Sequence, residues 1–161
     1  MKTALVVIDM QDDFDTAHHE STVRNVIKAI KFAKSVELPI IVLEYESMGR
    51  TLYRIRKHLI GYDKVIYKTK DEDDGGYEVM SALRKNGFTD VHSLAVCGIN
   101  INACVSSTIE SLVHSYDKTI KVIKSACWGH TPNRKHCFSK SHIYQDEDVE
   151  LLNLSQFCQP T

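Results

Sequence analysis

Short apolar runs alternate along this chain with segments whose apolar residues recur every three or four positions, a pattern that points to an α/β domain. ALVVI (Ala4 to Ile8) is continuously apolar and largely β-branched, as a strand buried on both faces of a parallel sheet should be. IIVLEY (Ile40 to Tyr45), VIY (Val65 to Tyr67), HSLAVCG (His92 to Gly98) and TIKVI (Thr119 to Ile123) repeat that texture, and VELLNL (Val149 to Leu154) is a candidate sixth strand. Between them Val23, Val26, Ile27, Ile30 and Ala33 define one helix face over Ser21 to Ser35, with Pro39 as a stop. Leu52, Ile55 and Leu59 mark a short helix, and Val79, Met80 and Leu83 mark another that Asn86-Gly87 would end. Val105, Thr108, Ile109 and Leu112 line a helix from about Cys104 to His114. The expected architecture is one doubly wound (Rossmann-like), mostly parallel sheet of five or six strands with helices on both faces, forming a single domain over residues 1–161.

Composition removes several functions. Hydrophobic residues at 43% and charged residues at 25% allow a real core, and a net charge of -1 with no long basic run argues against nucleic-acid binding. Asp9 breaks the first apolar run after five residues, too soon for a membrane span or a signal-peptide core, so a cytoplasmic protein is expected. Cys97, Cys104, Cys127, Cys137 and Cys158 are odd in number and irregular in spacing, which favours reduced thiols over a disulfide scaffold.

In open parallel sheets chemistry gathers outside the carboxyl ends of the strands. Asp9 ends the first strand, Lys68 the third, and Cys104 follows the fourth at the mouth of a helix. With Asn102 as N-cap, the helix dipole is expected to lower the Cys104 pKa and favour a thiolate. A carboxylate can take and return the thiol proton while an ammonium steadies the anion. Lys70 shares a face of the extended segment with Lys68. The spacing to Tyr77 favours Lys68, leaving Lys70 to the charged stretch TKDEDDGG (Thr69 to Gly76), a solvated loop or the rim of the site entrance.

Three motifs in order resemble the isochorismatase-like cysteine hydrolases, a family that includes nicotinamidases and related amidases, over roughly residues 4 to 127. They are VVIDMQDDF (Val6 to Phe14), VIYK (Val65 to Lys68) followed by Tyr77, and VCGININACVSSTI (Val96 to Ile109). The resemblance implies catalytic Asp9, Lys68 and Cys104, a thioester intermediate, and hydrolysis of a C–N bond in a small amide-type molecule. It also implies a cis peptide at Ile99-Asn100, an oxyanion hole from the backbone N–H groups of Asn100 and Cys104, and assembly into homo-oligomers. Phe14, Glu44, Tyr45 and Tyr77 are the candidate pocket residues. No cofactor is expected.

Departures from the family pattern bear on substrate. LEYESMGRT (Leu43 to Thr51) lacks the histidines that hold the nicotinamidase metal, and the presence of Cys104 disfavours isochorismate cleavage, whose enzymes lack that nucleophile. Cys127, His130, His136, Cys137 and His142 match no compact zinc pattern, so no metal site is assigned. Two other classes remain as alternatives. One is a family member acting only as a binding or scaffold protein. The other is a phospho-acceptor receiver-like domain, for which Asp12, Asp13 and Lys124 are suited but Lys68 stands where the acceptor Asp is needed.

Overall fold

The structure, a computed structural model, describes residues 2–131 and 133–159. Six strands form one sheet in the order β3-β2-β1-β4-β5-β6, every neighbouring pair parallel. They are β1 (Lys2–Ile8), β2 (Ile40–Tyr45), β3 (Val65–Lys70), β4 (Val91–Ile99), β5 (Thr119–Trp128) and β6 (Val149–Leu152). The order runs outward in both directions from β1 and β4, so the winding reverses between these two central strands. Their apolar character follows from that position: Ala4 to Ile8 and Leu94 to Cys97 are fully buried, since helices cover both faces.

Helix α1 (Glu20–Ser35) packs on β1 and β5, and meets the short helices α2 (Tyr53–Arg56) and α6 (Leu154–Phe157). Helix α3 (Gly76–Lys85) packs on β2 and β3 and against α4 (Ser106–His114). Of the residues that give α1 its helical period, Val23, Val26, Ile30 and Ala33 are buried and Ile27 is half-buried, with Thr22 and Ala29 completing the buried face. Helix α5 (Arg134–Lys140) fills part of the His- and Cys-containing stretch before β6.

The central strands approach so closely that one position has no room for a side chain. A Cβ on Gly98 would lie 2.1 Å from the Ile8 carbonyl oxygen, and its φ of 126° suits glycine alone. Two strands run further than their apolar runs suggest. β3 continues through Lys68 and Thr69 to Lys70, and β5 continues to Trp128. Both extensions are polar or mixed, so hydrophobicity alone does not reveal them. No helix among the described residues is long and apolar enough to cross a membrane.

Candidate active site

Asp9 follows the last residue of β1 in a left-handed conformation, φ 53°, unusual for a residue with a side chain. Its own N–H donates to the Leu43 carbonyl at 3.1 Å, and its carbonyl accepts from the Gln11 N–H at 2.8 Å. Gln11 then ties this turn to the end of β2. Its side-chain amide donates to the carbonyls of Tyr45 and Gly49 at 2.9 and 2.8 Å, and its Oε1 accepts from the Tyr45 N–H at 2.6 Å. A fully buried glutamine satisfied in this way is a rigid pin between two loops.

The lysine that meets Asp9 is Lys70, where Lys68 was expected. Lys70 Nζ lies 3.0 Å from Asp9 Oδ2, with both side chains fully buried. The contact is an ion pair outside hydrogen-bond direction, which leaves both carboxylate oxygens without a hydrogen-bond partner. Lys70 also donates to the Glu72 carbonyl at 3.0 Å and sits 4.4 Å from the centre of the Tyr45 ring. The correction follows from strand length. Lys70 pairs with Tyr45, the last residue of β2, whereas Lys68 pairs with Leu43, two residues or about 6.6 Å back along the strand. Lys68 is half-buried and stays below the edge.

Cys104 enters from the other side of the switch point. The Ile99–Asn100 peptide is cis, and the chain then makes a π-helical turn over Ile101–Val105 before α4. The Asn100 carbonyl accepts from the N–H groups of Ala103 and Val105, both at 3.1 Å. The Tyr144 hydroxyl donates to the Ile101 carbonyl, fastening the turn from outside. Asn102 does not act as an N-cap: it lies inside the turn at φ -101°, ψ 21°, and the residue in the capping position is Asn100, whose side chain makes no capping bond.

Nor is the thiol acidified. Burial, followed by the nearby Asp9 carboxylate, pushes the Cys104 pKa well up, with Asp73 adding to the shift and Lys70 opposing it. A helix N-terminus is worth about 0.3–1 kcal/mol to an anion, whereas burying an ion costs several. The dipole therefore loses. Burial also raises the Asp9 pKa, with Lys70 and Cys104 opposing. Burial thus favours the protonated thiol, beside an Asp9 carboxyl paired with the Lys70 side chain.

A second carboxylate reaches the sulfur. Asp73, in the loop between β3 and α3, places Oδ1 3.5 Å from Cys104 Sγ. Its loop is docked on α4 through Thr108, whose hydroxyl accepts from the Gly75 N–H at 2.9 Å and donates to the Asp73 carbonyl at 3.4 Å. Sequence reasoning passed over Asp73 because four consecutive acidic residues read as solvated surface. The following Gly75-Gly76 pair was the available signal. A Cβ on Gly75 would come within 2.5 Å of Leu43 Cδ1, so this loop is pressed against the core.

The expected pocket residues separate. Phe14 and Tyr45 are half-buried and meet edge to face, ring centres 6.2 Å apart, beside Lys70. Glu44 is engaged in structure, with Oε2 accepting from the Thr51 N–H at 2.7 Å. Tyr77 is 63% exposed on the first turn of α3. Among the described residues no three His, Cys, Asp or Glu side chains converge to hold a metal, so Cys127, His130, His136, Cys137 and His142 are not gathered into one site.

Comparison with curated proteins gives no match. Among solved structures, the fold superimposes on the MAR1 ribonuclease of Caenorhabditis elegans with a TM-score of 0.83 and 17% identity, covering 98% of this chain and 79% of that one. N-carbamoylsarcosine amidase from Thermoplasma acidophilum gives 0.75 and 20%, covering 96% and 97%. The YcaC gene product of Escherichia coli, described as an octameric hydrolase of unknown specificity, gives 0.78 and 14%, covering 98% and 78%. At such identities the likeness is one of fold. The sequence itself carries the family: residues 3–146 match the isochorismatase domain, and the chain belongs to the isochorismatase-like hydrolases.

Proposed function

We propose that this protein hydrolyses a C–N bond of a small amide- or carbamoyl-type molecule through a thioester on Cys104. The observation that carries the reading is the fully buried Asp9–Lys70 pair at the carboxyl edge of the sheet, beside a buried thiol. Burying an ion pair is expensive, and pairs kept at such a price are common at functional sites.

Asp9 takes the proton from Sγ as sulfur bonds to the substrate carbonyl carbon and the carbonyl oxygen becomes an oxyanion. By their place in the turn, the backbone N–H groups of Asn100 and Cys104 are the proposed oxyanion donors. The oxyanion collapses, the C–N bond breaks, and the Asp9 proton passes to the departing nitrogen. Water then gives a proton to Asp9 and its oxygen to the thioester carbon, after which the C–S bond breaks and the proton returns to sulfur. Lys70 keeps Asp9 ionised at rest and compensates the negative charge throughout, the role expected of Lys68. No residue of this scheme requires a cofactor.

The Thermoplasma amidase neighbour is consistent with C–N chemistry. A polyanionic substrate such as RNA fits less well, because Asp71, Glu72, Asp73 and Asp74 crowd the loop that reaches the nucleophile. Homo-oligomers are also proposed, in keeping with the octameric neighbour. Small amides and carbamoyl compounds incubated with the protein should release ammonia, and Cys104→Ala should abolish the release. Equal release by the Cys104→Ala protein would remove the nucleophile from the scheme.

A further inference from the structure

Asp73 is exposed as a residue, yet its Oδ1 lies 3.5 Å from the sulfur that is to attack substrate. Its backbone is held by Thr108, and the neighbouring Asp74 accepts from the Gly76 N–H at 2.7 Å, so the loop has a defined place over the thiol. No lysine, arginine or histidine among the described residues forms an ion pair with Asp73, and Lys70 is engaged by Asp9 and by the Glu72 carbonyl. A second acceptor in the site lacks a partner: Asn100, 7% exposed at the start of the nucleophile turn, has a buried Oδ1 with no hydrogen bond.

A carbon under attack stands about 3–3.5 Å from the sulfur. Its substituents then fall within a few ångströms of the Asp73 carboxylate. A group carrying positive charge and N–H donors would be held there, and an anionic one would be opposed by Asp73, because Lys70, the cation of this site, is already paired with Asp9.

We propose that Asp73 selects substrates by charge, so that the molecule cleaved carries an ammonium, guanidinium or similar cationic group close to the scissile carbonyl. Cleavage as such rests on the hydrolase reading above; the charge selection at the sulfur does not.

The test separates the two. In a Cys158→Ser background, which removes the more accessible thiol, Cys104 is modified by two methanethiosulfonate reagents of similar size. One carries a trimethylammonium group and the other a sulfonate, and labelling is followed by peptide mass spectrometry. The ratio of the two rates cancels any change in the amount of thiolate. Asp73→Asn should reduce the cationic-to-anionic rate ratio by about tenfold or more at low salt, and by less at high salt. An unchanged ratio overturns the proposal. In parallel, glycinamide, acetamide and malonamic acid are assayed for ammonia release. Preference for glycinamide that Asp73→Asn erases supports the proposal. Similar kcat/KM for all three together with an unchanged reagent ratio would refute it while leaving the hydrolase reading intact. Absence of release from all three, with the ratio still dependent on Asp73, would count against the hydrolase reading and preserve the charge selection.

Discussion

Asp9 and Lys70 pull the pH behaviour of this protein in a direction opposite to that of an ordinary salt bridge. Burial raises the Asp9 pKa above 3.8 in spite of Lys70, so the folded state holds this proton more tightly than the unfolded chain does. The stability this contributes is present below the unfolded value and is lost as pH rises through the folded one. The proposed catalysis needs the opposite form. Activity should therefore fall with decreasing pH at a point above the usual carboxylate range, visible in the profile of kcat/KM against pH. Lys70→Met removes the main influence that keeps Asp9 ionised, so it should move that limb to higher pH. It should also cost about 3 kcal/mol of stability while Asp9 is ionised, and distinctly less as the pH is lowered and Asp9 takes up its proton, as measured by urea unfolding at a series of pH values. Lys68→Met should leave both properties near wild type. Lys70 was visible in the sequence as a second lysine on the same strand face. Its choice over Lys68 depends on where β3 stops, and a polar edge strand gives no hydrophobic mark of its end.

At the scale of elements, the loop from Asp71 to Gly76 is as much a part of the site as the strands are. Thr108 on α4 holds it with one hydroxyl that both accepts and donates. Thr108→Val keeps the shape but leaves the Gly75 N–H unpaired, at a cost of about 1–3 kcal/mol. If the loop positions substrate, the variant should also raise KM more than it lowers kcat, a split that steady-state kinetics would reveal. Gly75→Ala should be worse, since the added methyl meets both Leu43 Cδ1 and, at 3.0 Å, Lys70 Cδ. It is expected to disturb Lys70 and to lower activity at least tenfold, with a destabilisation of about 1–3 kcal/mol by thermal or urea melts. The nucleophile turn was only half legible. A thiol following a strand and preceding a helical period announces its location, but the π-helical geometry of Ile101–Val105 leaves no periodic trace over five residues.

For the whole molecule, the sheet and its helices could be read from periodicity because every central strand is buried on both faces and every long helix on one. The convergence of Asp9 and Cys104 was legible for the same reason: β1 and β4 flank the reversal of winding, and their carboxyl ends share one crevice. The charge state of that crevice was not legible, because it depends on how completely neighbouring side chains exclude water. The strand order also has a bearing on biosynthesis. Of the six strands β1 is made before the others and can pair with β2, which pairs in turn with β3, bringing Asp9 and Lys70 to one end of a three-stranded sheet. Its other edge, Lys2 to Ile8, remains an unpaired row of backbone donors and acceptors until β4 has been made. Cys104 follows directly behind β4. The nascent chain thus passes through a stage in which its most apolar strand edge lies open to pairing with other chains, and the strand that closes that edge delivers the proposed nucleophile.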